Sequence, residues 1–137
     1  MVVRLLSHGT LCKEMYESLK LIVGDVSNFG YILQPEDGNL SEYETNLKSM
    51  LDENDEILVL TDLLGGSPLI SLAKIYSANK KQYTGHIKIV TGMNLGMLLE
   101  VNAKIEQLSL DELATAAVKA GKLGIVDFLG QIEEKGR

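Results

Sequence analysis

The sequence predicts an α/β fold, a three-layer sandwich around a mainly parallel four-stranded sheet. Three observations predict it. Four short apolar runs alternate with helix-periodic segments along the chain, and such alternation calls for crossover connections and hence parallel strands. The first run, Val2–Ser7, is apolar at nearly successive positions, as suits a strand covered on both faces. The one cysteine, Cys12, excludes intrachain disulfides, so a hydrophobic core must hold the fold.

After the first strand, Leu11, Met15, Leu19, Ile22 and Val23 recur at helical spacing, and Gly24 marks the stop. The second strand is about Phe29–Leu33, succeeded by a polar loop, Gln34-Pro35-Glu36-Asp37-Gly38. Ser41 and Glu44 have capping-box spacing, and Tyr43, Leu47, Met50 and Leu51 give the second helix its core face. The third strand is Ile57–Thr61. Ser67 and Pro68 read as N-cap and first residue of the third helix. The fourth strand is about His86–Val90. Asn94 caps a helix reaching roughly Val101, with Gly96 weakening its first turn. Ser109 and Glu112 form a second capping box before the helix Leu113–Ala120. The tail Gly124–Leu129 reads equally as a short final strand or a further helical turn, because periodicity does not separate the two.

No repeat, low-complexity segment or linker interrupts the chain, so residues 1–137 are read as one domain. The net charge of −6 weighs against nucleic acid, whose binders carry basic patches. No signal-peptide pattern is present, and no apolar segment approaches the roughly 20 residues that span a bilayer. A soluble cytoplasmic protein is the expectation.

Three features carry chemistry. His8 stands at the end of the first strand before Gly9, at a rim, where one ring nitrogen of a neutral imidazole offers a lone pair. Asp62 ends the third strand. If these strands are neighbours, both groups flank the crevice at the carboxyl edge of the sheet, where α/β folds hold ligands. The carboxylate then accepts the proton of one ring nitrogen and leaves the other as a nucleophile. Gly65-Gly66-Ser67-Pro68 supplies a close-approach turn and helix-start amides that suit an anion. Each feature also has a plain reading: an edge histidine, a turn aspartate, a glycine-rich turn. The Ser67 hydroxyl either caps its helix or donates to a phosphoryl oxygen.

Taken together the inventory suits a histidine that is itself phosphorylated. No cysteine pair or acidic cluster supports a metal, and no Walker pattern supports nucleotide chemistry. His86, at the opposite rim, and Cys12, a buried small hydrophobe, are assigned structural roles. Met93, Met97, Leu98 and Leu99 are assigned to the core or a subunit interface.

Ser7-His8-Gly9, the run Asp62-Leu63-Leu64-Gly65-Gly66-Ser67-Pro68 and Thr91-Gly92-Met93-Asn94-Leu95 come after the first, third and fourth strands. In that order and spacing they resemble the mannose-family enzyme IIA component of the phosphoenolpyruvate-dependent sugar phosphotransferase system, from Val2 to about Gly124. The resemblance implies that His8 takes a phosphoryl group from phospho-HPr and passes it to a sugar-specific IIB component. It implies Asp62 as the partner of His8, and Gly9, Thr10, Gly65, Gly66 and Ser67 around the phosphate. No cofactor or metal is implied, and the membrane is met only indirectly through the IIC/IID permease. A homodimer is implied as well, with a fifth, antiparallel edge strand exchanged between subunits and mapped onto the tail. The chain departs from relatives at Gly96, where many have proline, and at Leu64, where an aromatic is frequent.

Other classes fit less well. A receiver-like signalling domain would use Asp62 as acceptor but needs an acidic pair after the first strand, where Ser7-His8 stands. A relay subunit for dihydroxyacetone phosphorylation would carry further domains and a different loop after the third strand. A flavin- or nucleotide-binding sandwich needs a longer phosphate loop than Ser7-His8-Gly9-Thr10.

Overall fold

A computed structural model describes residues 1–135. Four strands, β1 (Val2–Leu6), β2 (Phe29–Ile32), β3 (Ile57–Thr61) and β4 (Ile87–Val90), form one sheet in the order β2-β1-β3-β4. All three pairings are parallel. Seven helices are described: α1 (Leu11–Val23), α2 (Leu40–Asp52), α3 (Ser67–Ala78), the single turn α4 (Lys80–Tyr83), α5 (Leu95–Lys104), α6 (Leu110–Leu123) and α7 (Phe128–Lys135).

The period-2 alternation of the strands sorts the core into two halves. Val3, Leu5, Leu58 and Leu60 face one side, where Cys12 and Leu19 of α1, Met97, Leu98 and Val101 of α5, and Leu113 and Ala117 of α6 cover them. Leu6, Ile57, Val59 and Ile87 face the other, under Tyr43, Leu47 and Met50 of α2 and Leu72 and Ile75 of α3. Every residue of β3 is buried, as its unbroken apolar run requires in a three-layer fold. The predicted architecture is therefore the observed one.

This layering places the site. The helix after β1 goes to one face, and the helix after β3 goes to the other. The two strands lie side by side, so their carboxyl ends border a crevice at which the connections diverge.

Two helix caps are corrected, and the reading left open at the tail is filled in. The cap of α2 is Asn39, whose side chain accepts from the Glu42 amide at 3.0 Å, in place of the Ser41–Glu44 box. A tight turn closed by Gly38 N–H to Pro35 O, and an Asp37 carboxylate accepting from the Asn39 amide, start the helix two residues early. Glu44 instead pairs with Lys74 on α3. The cap of α3 is Gly66, so Ser67 is the first helical residue and Pro68 the second. The tail is a short connection, residues 125–127, that leads into a helix from Phe128: Asp127 accepts from Gly130 N–H through its side chain and from Gln131 N–H through its carbonyl, opening α7. In the single chain the segment mapped onto an exchanged fifth strand runs without regular structure over residues 125–127 and then enters α7, and among the described residues the sheet has four strands. The capping box at Ser109 and Glu112 is present in both directions. No helix among the described residues is long and apolar enough to cross a membrane.

Candidate functional site

The register of the sheet sets the geometry. Leu6 of β1 pairs with Thr61 of β3 and with Ile32 of β2. Asp62 comes directly after Thr61, and His8 lies two residues beyond Leu6. The chain turns at Gly9, whose φ of +55° favours glycine.

His8 and Asp62 meet as the sequence predicts. Asp62 Oδ2 accepts from the His8 amide at 2.9 Å and lies 2.8 Å from His8 Nδ1. Its other oxygen accepts from the Leu63 amide at 2.9 Å. The Asp62 side chain is 9% exposed and the His8 side chain 45%. Burial opposes ionisation of Asp62, yet the His8 amide, ring and charge, joined by the Leu63 amide, outweigh it and hold the carboxyl below its ordinary value. Since an ionised carboxylate only accepts, Nδ1 must donate, and the Nε2 lone pair is left free.

Gly66 explains where the ring rests. A Cβ at this position would stand 2.5 Å from His8 Cε1 and 3.2 Å from Nε2, and the first of these distances is one no real side chain tolerates. Its φ of −72° is ordinary, so the glycine is required for the approach of the ring and not for the backbone. Gly65 has φ +82° and serves the turn itself.

Two helix starts flank the ring. In α3, Ile70 N–H is the amide that closes on Gly66 O, so the amides of Ser67 and Leu69 are among the donors that a helix start leaves open. Thr10 is the N-cap of α1, and its hydroxyl makes no capping bond. The amide of Cys12 is satisfied by Ser7 Oγ at 2.7 Å. The geometry thus gathers His8, Asp62 and Gly66 into direct contact, with Gly65 and Ser67 adjoining. Gly9 and Thr10 form the turn on the α1 side.

Two residues escaped the sequence reading. Ser7, fully buried, ties the strand end to the start of α1; its place in Ser-His-Gly was the available signal. Gln34 donates from Nε2 to Ser67 Oγ at 3.0 Å. It lies two residues beyond Ile32, as His8 lies two beyond Leu6, so the parallel topology together with the glutamine at position 34 was the available signal for a polar group at this rim.

The residues given structural roles keep them. Cys12 is fully buried and burial pushes its thiol up, away from the reactive thiolate. His86 packs at the other edge with Nδ1 3.1 Å from Asp55 O. Met93, Met97 and Leu98 are buried in the half of the core beneath α5 and α6. A groove of about 400 Å³ between α2 and α3 is lined by Glu44, Lys48, Asp52 and Lys74, which pair among themselves, and not by His8. The His8 ring sits on an open rim, a shape for meeting another protein more than for enclosing a small molecule.

Comparison with known proteins points the same way. The model of the EIIA-man family, described as the PTS system fructose IIA component, matches residues 2–118. The sorbose-specific EIIA component of the phosphotransferase system from Lacticaseibacillus casei is 29% identical over 122 residues, covering 87% of this chain and 84% of its own. Among solved structures, a phosphotransferase system component EIIA from Streptococcus agalactiae is similar at a TM-score of 0.84 and 28% identity, over 94% of this chain and 98% of that one. A mannose/sorbose-specific IIA subunit from Enterococcus faecalis is similar at 0.75 and 29%, over 91% and 92%.

Proposed function

We propose that this chain, which belongs to the EIIA-man family of sugar phosphotransferase components, carries a phosphoryl group on Nε2 of His8. Phospho-HPr is the donor and a sugar-specific IIB component the acceptor, in the cytoplasm. One observation carries the reading: the 2.8 Å contact between His8 Nδ1 and Asp62 Oδ2, which fixes the tautomer that leaves Nε2 nucleophilic.

The transfer is then a displacement at phosphorus. The Nε2 lone pair forms the new P–N bond as the donor's P–N bond breaks, and the donor nitrogen leaves with the electron pair. Positive charge grows on the His8 ring as this bond forms, and Asp62 stabilises it. Gly66 keeps space open beside Nε2. Gly65, Ser67 and the amides at the start of α3 offer donors to the phosphoryl oxygens, with Gly9 and Thr10 on the α1 side. Transfer to IIB runs the same steps with His8 as the leaving group. No metal or cofactor enters. A receiver-like role for Asp62 as acceptor is disfavoured, since both of its oxygens are already engaged.

We also propose that the chain works as a homodimer, as the resemblance implies. In the single chain Ile125, Val126, Phe128 and Leu129 are all exposed, and covering such side chains is worth roughly 1.5–3 kcal/mol each.

Incubation with phosphoenolpyruvate, enzyme I and HPr tests the carrier reading. The expected product is an acid-labile, base-stable phosphoryl group that is absent in His8→Gln and normal in His86→Gln. Label that persists in His8→Gln overturns it.

A further inference from the structure

We propose that Gln34 is a positioning residue for the phosphoryl group, acting by fixing the direction in which the Ser67 hydroxyl donates. The proposal rests on the carrier reading of His8. It concerns the bond from Gln34 Nε2 to Ser67 Oγ, 3.0 Å long and spanning 33 positions in sequence.

Ser67 is the first residue of α3 and Gly66 is its cap. The hydroxyl therefore has no capping duty, and no side-chain capping bond is made at this helix start. A serine hydroxyl has one proton and two lone pairs, and it rotates to suit its neighbours. Left alone, it would divide its time among the helix-start donors and solvent. Gln34 removes that freedom by donating into one lone pair, and the Ser67 proton must then point away from Gln34. The residue before Ser67, Gly66, lies against the Nε2 side of the His8 ring. The Ser67 proton is thus held available to a phosphoryl oxygen on Nε2 before the group arrives, which is the preorganisation that favours transfer.

Gln34 comes from a third strand end. β2 brings it to the rim on the far side of β1 from β3, so the clamp ties the β2 connection to the start of α3 across the crevice. Its amide also has an opposite state. With the side-chain amide turned over, Oε1 would accept the Ser67 proton and take the donor away from the phosphate. A carboxylate at this position has only that second state.

The test uses the full chain as wild type, Gln34→Ala, Gln34→Glu, Ser67→Ala and the double variant Gln34→Ala/Ser67→Ala. Each is charged from phosphoenolpyruvate through enzyme I and HPr. The rate of transfer from phospho-HPr and the lifetime of the phosphoryl group are measured, with thermal melts in parallel. Gln34→Ala should slow transfer roughly 3–10-fold, the scale of one lost hydrogen bond. Gln34→Glu should slow it further, because it accepts the Ser67 proton and adds a like charge. In the Ser67→Ala background, Gln34→Ala should change the rate by less than about 2-fold, since the residue through which it acts is gone. A Gln34→Ala rate equal to wild type overturns the proposal. So does a full Gln34→Ala effect in the Ser67→Ala background, which would mean that Gln34 acts directly or through the fold. A wild-type chain that takes no label at all overturns the carrier reading as well, so the two failures are told apart.

Discussion

Replacing Asp62 with asparagine removes one charge and almost no volume, and the loss falls on three donors that converge on the carboxylate. The His8 amide and Nδ1 meet Oδ2, and the Leu63 amide meets Oδ1. An asparagine offers one oxygen and one NH2 group in place of two acceptors. With NH2 at the Oδ2 position, it confronts two donors. With NH2 at the Oδ1 position, it confronts the Leu63 amide. The second arrangement costs less, roughly 1–3 kcal/mol for the one donor left without a partner. It keeps the tautomer but loses the charge that stabilises the ring as the P–N bond forms. The first arrangement can be relieved at the ring by moving its proton, so that Nδ1 accepts and Nε2 carries the hydrogen. That tautomer has no lone pair facing the donor phosphorus.

Both routes slow the transfer. A comparable orienting-acid change in a serine protease costs about 10⁴-fold. The loss here should be smaller, on the order of 10–10³-fold or about 1.4–4 kcal/mol in barrier, because the ring itself attacks and no alcohol must lose a proton. The fold survives, as the substitution touches the rim and leaves both halves of the core intact. Rapid-quench kinetics from phosphorylated HPr, paired with thermal melts, give the answer. A folded Asp62→Asn chain that transfers at the wild-type rate would refute the assignment of Asp62 and reduce it to a turn residue.

Gly66→Ala should leave the melting temperature nearly unchanged, since φ −72° suits alanine. Its Cβ would displace the His8 ring, and a misplacement near 1 Å costs about 10²-fold in transfer; an unaffected rate would show that the ring has room to spare. The lowered Asp62 carboxyl contributes stability above the unfolded value of roughly 3.9 and loses it as pH falls through the lower native value. The stability gap between wild type and Asp62→Asn should therefore close in acid, and a gap unchanged down to the bottom of the acid transition would contradict the ionised pair. Light scattering at micromolar concentration should give a dimer mass, and a sharp monomer would refute the assignment of the exposed tail to an interface.

Much of this site was legible in the sequence because parallel strands put their carboxyl ends at one edge. Once Val2–Ser7 and Ile57–Thr61 are taken as neighbours, His8 and Asp62 have nowhere to stand but side by side. The helix starts were harder to place. Asn39 with Glu42 and Ser41 with Glu44 both satisfy the capping spacing, and the turn through Pro35 and Gly38, not propensity, decides for Asn39. Ser67-Pro68 reads as cap and first residue, yet Pro68 at the second position also forfeits only an amide with no intrahelical partner, so the pattern fits two registers. The tail held a signal in Asp127, a helix-capping residue among apolar neighbours, which favours α7 over a strand.

The shift of Ser67 by one position changes what the residue does. A capping serine has its oxygen aimed at its own helix, occupied by the amides two or three residues on. A serine at the first helical position is released from that bond, and another group sets its direction. In this chain the group is Gln34, from a loop that reads in sequence as an ordinary polar connection. No local pattern joins residues 34 and 67, since what pairs them is the placement of β2 on the far side of β1 from β3. Orientation of the Ser67 hydroxyl is therefore a property of the assembled sheet edge. A change at Gln34 should accordingly alter transfer without altering the pair of His8 and Asp62, whose contacts all come from β1, β3 and the turns that leave them.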